Sequence, residues 1–333
     1  MGRRVRIVHT GGTLGMRPTA PDETLAPDEF GSTVLEHVPE LSQIAEIETR
    51  VLFNIDSSDI RPEHWLALAD AVADARSCCD GVVITHGTDA MSYTAAALSF
   101  LLRGLDLPVI LTGSQRPLAD ARTDGRANLV VAVDLALRPI PEVAIYFDGL
   151  LLRGNRTTKS SSFAFGAFAS PNFLPLAEVG TEVRMVRQPL QPTGPFRIEG
   201  GFDRRVAVVR LVPGQDGSVL RALAQTDIRA LLLIAFGSGN VPIEDRSVAE
   251  ALRELVDSGR VVAIGSQAPN GRVDLDRYLG GRLAREVGAV GTLDMTVEAA
   301  TVKLMYLLAT DDPPDRIRRA LTAPIAGEVG DGG

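Results

Sequence analysis

Short β-branched runs alternate with segments of helical spacing along most of the chain. Runs at 5–8, 50–54, 81–85, 108–112 and 143–147 are apolar on both faces, as strands of a covered parallel sheet are. Between them, Pro62 stands where a first helical residue belongs and is followed by Trp65, Leu68, Ala69 and Val72 on one side. Further helices are predicted over 90–102 and 125–137. This alternation is that of βαβ units and predicts an α/β fold. The stretch 188–202, QPLQPTGPFRIEGGF, holds three prolines and three glycines without sustained periodicity, which reads as a linker. The pattern then resumes on a smaller scale, with strands at 206–211, 230–236 and 261–266 and helices at 247–257 and 297–308. The expectation is a larger N-terminal domain over 1–187 with a mainly parallel sheet flanked by helices, a linker over 188–203 and a smaller C-terminal α/β domain over 204–333. The closing GEVGDGG is expected to be disordered.

Composition narrows the function classes. A net charge of -8 argues against coating a phosphate backbone or an anionic membrane, so neither a nucleic acid nor a membrane partner is expected. The longest apolar run, 230–236, is strand length and falls well short of the ~18 to 20 residues of a membrane span. MGRRVRIVHTGG offers no apolar core for a signal peptide, and Cys78 and Cys79 stand side by side, where a bond between them is strained; a reducing cytoplasm is the expected location. The four histidines, His9, His37, His64 and His86, contain no His-Glu-x-x-His pair and the cysteines no Cys-x-x-Cys. Neither a metal nor a cofactor is expected.

In open α/β sheets ligands bind beyond the carboxyl ends of the strands, and polar residues gather at four such places. These are Thr10-Gly11-Gly12-Thr13, Asp56-Ser57-Ser58-Asp59, His86-Gly87-Thr88-Asp89 and the loop from Arg153 to Lys159. The Gly11-Gly12 pair matches neither dinucleotide nor P-loop spacing. It can present the Thr13 hydroxyl to a small substrate, or form a plain turn in which the Thr caps the next helix. The Asp56 loop, just ahead of a helix start, suits a carboxylate ligand or serves as a cap, and Thr88-Asp89 has the same capping alternative. Lys159, expected beside a buried Asp, can hold or move a proton or simply be solvated. With no Gly-x-Ser-x-Gly elbow, threonine-centred chemistry is what the residues permit.

Taken in order, Thr10-Gly-Gly-Thr13, Asp56-Ser-Ser-Asp59, His86-Gly-Thr-Asp-Ala-Met91, Thr112-Gly-Ser-Gln115 and Arg153-Gly-Asn-Arg-Thr-Thr-Lys159 resemble the bacterial-type L-asparaginases, most closely their cytoplasmic type I branch. The resemblance continues through Phe168-Ala-Ser-Pro-Asn172, Gly237-Ser-Gly-Asn240 and Asp294-Met-Thr-Val-Glu298. It implies that Thr13 is the nucleophile and that Thr88, Asp89 and Lys159 form a second, hydrogen-bonded triad. It further implies that Asp56, Ser57 and Ser58, together with Thr88 and Asp89, hold L-asparagine. Asn240 would reach into a neighbouring subunit's site, in a homodimer or homotetramer.

Two departures stand out. The family's mobile loop carries a Tyr over the substrate, whereas 17–27 contains none, Glu23 and Thr24 being nearest; the 16–30 loop is therefore expected to be mobile without ligand. Ala90 replaces a usual Thr. Competing readings are a glutaminase or related amidase, an amidase subunit feeding ammonia to a tRNA-dependent amidotransferase, and a weakened asparagine-binding regulatory module. The amidotransferase subunits carry an extra N-terminal module, whereas a first strand is expected here by residue 5.

Overall fold

The computed structural model describes residues 2–17, 20–24, 30 and 34–330, with backbone alone for 17 and 20–24. The chain divides into two units, 1–199 and 200–333. In the first, strands β1 (Arg4–His9), β2 (Glu46–Val51), β3 (Gly81–Thr85), β4 (Val109–Thr112) and β5 (Val143–Phe147) run parallel in the spatial order β2-β1-β3-β4-β5. Antiparallel β6 (Leu150–Arg153), β7 (Ala177–Val179) and β8 (Val183–Met185) extend the sheet beyond β5. Helices α1 (Pro62–Arg76), α2 (Met91–Leu101) and α3 (Gly125–Leu135) form the crossovers. Every residue of β3, β4 and β5 is buried, which is why these strands read as unbroken apolar runs. Val83 and Ile110 pack with Leu129 and Val133 of α3 in one core.

The chain leaves β1 for β2 on one side, then crosses to β3 on the other. This reversal opens a crevice at the carboxyl end of β1. Register keeps the edge level: His9 lies opposite Val51 and Thr85, and Thr85 opposite Thr112. All the loops that follow these strands therefore emerge together.

Two expectations need correction. The second strand spans Glu46–Val51 rather than 50–54. It is an edge strand, so it tolerates charge, and Glu46 and Glu48 pair with Arg4 and Arg6 of β1. Beyond β5 the chain enters β6 through a two-residue hairpin in which Asp148 (φ 45°) and Gly149 (φ 85°) are both left-handed. Asp-Gly between two apolar runs is the sequence signal for that turn.

The other correction lies in the second unit. There β9 (Val206–Arg210), β10 (Ala230–Ala235), β11 (Val261–Ser266) and β12 (Val290–Gly291) form a parallel sheet with α4 (Ser247–Asp257), α5 (Val297–Leu308) and α6 (Pro314–Thr322). Thr296 caps α5 by accepting from the Ala299 N–H. The tail expected to be disordered is instead tied down as far as Gly330. Glu328 is fully buried against Lys303 of α5, and the Gly330 N–H donates to Asp294. Among the described residues no helix is long and apolar enough to cross a membrane.

Candidate active site

The loops at the carboxyl edge are locked together through glycine. Gly11 and Gly12 both have left-handed φ, 104° and 85°. A Cβ on Gly11 would stand 2.2 Å from the Ile55 carbonyl oxygen, and one on Gly12 would stand 2.5 Å from the Gly87 Cα. Gly87 in turn leaves only 2.7 Å between a Cβ and the Ser57 Oγ. The pair thus permits close backbone approach of the β1, β2 and β3 loops. Thr10 ties β1 to β3 by donating its N–H and its hydroxyl to the Thr85 carbonyl, at 3.1 and 3.0 Å. Thr13 opens the short turn Thr13–Gly15 immediately after this knot and is half-buried; it caps no helix.

The Asp56 loop makes its own turn. Asp56 accepts the Ser58 N–H at 2.8 Å and the Ser58 hydroxyl at 2.7 Å, and these two bonds hold its carboxyl below the usual carboxylate range. It caps only the turn Ser57–Asp59, since α1 is capped by Arg61, whose N–H donates to His64 Nδ1 at 3.0 Å. Buried Ser57 accepts from the Ala90 N–H at 3.4 Å, joining this loop to the start of α2. That bond occupies one of the backbone donors at this helix start.

Thr88 and Asp89 do not cap α2, whose N-cap is Ala90 without a side-chain bond. They face Lys159 instead. Its Nζ donates to the Thr88 Oγ1 at 2.8 Å and to the Asp89 Oδ1 at 2.6 Å, and its side chain is only 18% exposed. The solvated-lysine alternative is thereby removed. Asp89, expected to be buried, is 70% exposed at its side chain, because its carboxylate opens to the mouth of the site while Thr88 lies beneath. The Thr88 hydroxyl also points toward Gln115 Oε1 at 3.5 Å, and Gln115 Nε2 donates to the Ala164 carbonyl at 3.1 Å. In the sequence Gln115 is legible only as part of the ordered motifs, with no role attached.

Lys159 is held by a rigid approach. Arg153 is buried in a bidentate pair with Glu142, at 2.6 and 2.9 Å, and lies over the Phe173 ring. Fully buried Arg156 donates to the Asn172 carbonyl at 2.9 Å. Thr158–Lys159 then pairs antiparallel with Phe168–Ala169. The cationic residues of this motif therefore build the loop, and its lysine alone faces Thr88.

Beneath Thr88 runs a buried chain that sequence reasoning missed. Trp65 Nε1–H donates to Thr94 Oγ1 at 3.1 Å, Thr94 lies 2.9 Å from His86 Nε2, and His86 Nδ1 lies 2.7 Å from the Gly87 carbonyl. With Nδ1–H donating to that carbonyl, Nε2 accepts the Thr94 hydroxyl proton. Burial pushes His86 down to about 4 and His9, stacked on Phe30, down to about 3, so both rings are neutral at working pH. Neither ring is a base; His86 is a brace for the Gly87-Thr88 peptide. Thr94→Val should lower kcat about ten- to a hundredfold with little change in KM, since a small displacement of a catalytic group costs rate. Steady-state kinetics on the folded variant at 25 °C would reveal this; a purely structural role would lower the melting temperature and leave kcat intact.

Asn240 lies in the second unit, where it bridges Phe236 across a turn containing left-handed Gly237 and Gly239. Of the 16–30 loop expected to be mobile, 18–19 and 25–29 lie outside the described residues, as do the side chains of Glu23 and Thr24. Met16–Arg17 pairs with Ala20–Thr24 in its described part.

A doubly wound sheet with a threonine–lysine–carboxylate cluster at its switch point defines a hydrolase class of site. Residues 4–191 match the family described as "Asparaginase, N-terminal" and 205–321 the "Glutaminase/Asparaginase C-terminal domain". The chain is 37% identical to L-asparaginase 1 of Escherichia coli strain K12, covering 98% of each. The solved thermostable L-asparaginase from Thermococcus kodakarensis superposes with a TM-score of 0.90 at 34% identity, over 99% of this chain and all of that one. A glutamyl-tRNA(Gln) amidotransferase subunit of Pyrococcus abyssi is 32% identical over 98% of this chain and 76% of its own length. The chain belongs to the asparaginase family.

Proposed function

We propose that the protein is an L-asparaginase that hydrolyses L-asparagine to L-aspartate and ammonia. The observation that carries this reading is Lys159 bridging Thr88 and Asp89 beside the Asp56-Ser57-Ser58 loop. Ionised Asp56 suits the substrate's α-ammonium group, and the serine hydroxyls suit its α-carboxylate. The Thr13 oxygen attacks the side-chain amide carbon, a base takes its proton, and the nitrogen leaves protonated as ammonia. Water then cleaves the β-aspartyl ester and restores the Thr13 hydroxyl. Within the Thr88-Lys159-Asp89 cluster, the lysine is the group placed to relay a proton to or from the Thr88 hydroxyl, with Asp89 fixing its orientation. No step needs a cofactor.

The reading places the enzyme in the cytoplasm as a homodimer or homotetramer, with Asn240 reaching a neighbour's site. Two free cysteines suit a reducing compartment. The likeness to the glutamyl-tRNA(Gln) amidotransferase subunit favours one second reading, in which the same amide cleavage supplies ammonia to a partner. Ammonia release by the purified chain alone, with L-Asn, D-Asn and L-Gln, distinguishes these. Multiple turnovers with a kcat/KM for L-Asn at least tenfold above the others are expected. A dominant rate with L-Gln would make it a glutaminase, and turnover only with an added tRNA-dependent partner would favour the second reading.

A further inference from the structure

Toward the amino end of β3, away from the catalytic loops, three donor atoms of soft and anionic character converge. Cys78 and Cys79 follow the carboxyl end of α1, where both backbone N–H groups donate to the Ala75 carbonyl. Their Sγ atoms are 3.6 Å apart, well beyond a disulfide bond, and both thiols are free. Glu48 reaches them from β2, its Oε2 3.8 Å from the Cys79 Sγ, and the three residues offer ligand atoms all within 4.8 Å of one another. Arg6, opposite Glu48 in the β1–β2 register, places Nη2 2.9 Å from Glu48 Oε1, 3.1 Å from Oε2 and 3.2 Å from the Cys78 Sγ.

We propose that Cys78, Cys79 and Glu48 form a binding site for a thiophilic divalent cation of the zinc class. Two sulfurs each ~2.3 Å from a tetrahedral Zn²⁺ stand about 3.8 Å apart, and a sulfur and a carboxylate oxygen about 3.6 Å apart. The observed separations of 3.6 and 3.8 Å lie within a few tenths of an ångström of these values, and the third pair, Cys78 to Glu48, stands within 4.8 Å and closes by a rotation of the Glu48 carboxylate. Two thiolates and a carboxylate bring one negative charge more than a dication neutralises. The Arg6 guanidinium balances it, and its hydrogen bonds to the Cys78 Sγ and to both Glu48 oxygens hold these two side chains together. The carboxyl end of α1 adds partial negative charge that favours a cation. Water or an exogenous thiolate completes the tetrahedron.

Binding replaces two S–H bonds by two metal–sulfur bonds and releases two protons to solvent. Because thiolates are the ligands and binding releases protons, affinity should rise with pH. Neither cysteine spacing nor histidine pairing announces this site, because its third ligand comes from β2, 31 residues before Cys79 along the chain.

Cobalt is the probe. Adding Co²⁺ to the reduced full-length protein at pH 8 should give a near-ultraviolet thiolate-to-metal charge-transfer band with tetrahedral visible bands, saturating at one ion per chain and reversed by Zn²⁺. Cys78→Ser and Cys79→Ser should each abolish it, and Glu48→Gln, at an exposed edge, should weaken binding about ten- to a hundredfold. Asparagine hydrolysis by Glu48→Gln without metal should be unchanged. Absence of the band, six-coordinate spectra, or undiminished affinity in Glu48→Gln would overturn the site, leaving an Arg6–Glu48 ion pair beside two inert thiols.

Discussion

Thr13→Ala is expected to lower kcat for L-asparagine by about 10⁴-fold or more while leaving the unfolding midpoint within experimental error of the parent. Thr13 is half-buried in a three-residue turn and packs no core, so its hydroxyl contributes little to stability. Its loop is held by Gly11, Gly12 and the Thr10 bonds, all of which survive the substitution. Thr88→Ala and Lys159→Met should each cost about 10²- to 10⁴-fold, as loss of a positioned proton-transfer group does. Because one lysine nitrogen contacts both Thr88 and Asp89, the double variant should be little worse than the poorer single one. Ammonia release and a double-mutant cycle test this. Substantial activity in Thr13→Ala would transfer the nucleophile's role to Thr88, and full additivity would show that Thr88 and Lys159 act separately.

The second large effect is on stability. Glu328→Gln should destabilise the second unit by about 3–5 kcal/mol, the typical result of leaving one member of a buried ion pair uncompensated. Lys303 and Glu328 are both fully buried. The ammonium donates to the Leu321 and Ala323 carbonyls at 2.8 and 2.6 Å, and the carboxylate accepts the Ile325 and Ala326 N–H groups at 2.9 and 2.7 Å. Burial pushes the lysine down from its ordinary value, with Glu328 opposing the shift. Removing the carboxylate's charge takes away that opposition and loosens the turn after α6. Lys303→Met should cost a similar amount, and the double variant Lys303→Met/Glu328→Gln should cost less than the sum, since no orphaned charge remains. Denaturant titration of the full chain, followed by hydrogen exchange in α5 and α6, measures this. An effect below about 1 kcal/mol would mean that the ammonium and its two carbonyl bonds are sufficient without the carboxylate.

Much of the architecture is legible in the chain itself, for a definite reason. Fully covered strands must be apolar on both faces, so 81–85, 143–147 and 261–266 are found to the residue. The helices Ser247–Asp257 and Val297–Leu308 are found equally well. The polar loops at strand ends and their order also belong to the sequence, and they carry the family resemblance. Where burial is one-sided the pattern weakens: apolar spacing puts charged β2 too late, because its Glu46 and Glu48 are acceptable only against Arg4 and Arg6. Tertiary structure alone decided which polar residues meet. Lys159 becomes a partner of Thr88 through the Arg153–Glu142 scaffold, Asp89 opens to solvent, and His86 becomes a neutral brace. Glu328, in a glycine-rich tail that reads as disordered, is buried because Lys303 waits inside for a counter-charge, and Glu48 stands beside two thiols because a strand register puts it there. Apolar periodicity is a local property of the chain, whereas the cost of burying a charge is settled by whatever the fold brings next to it.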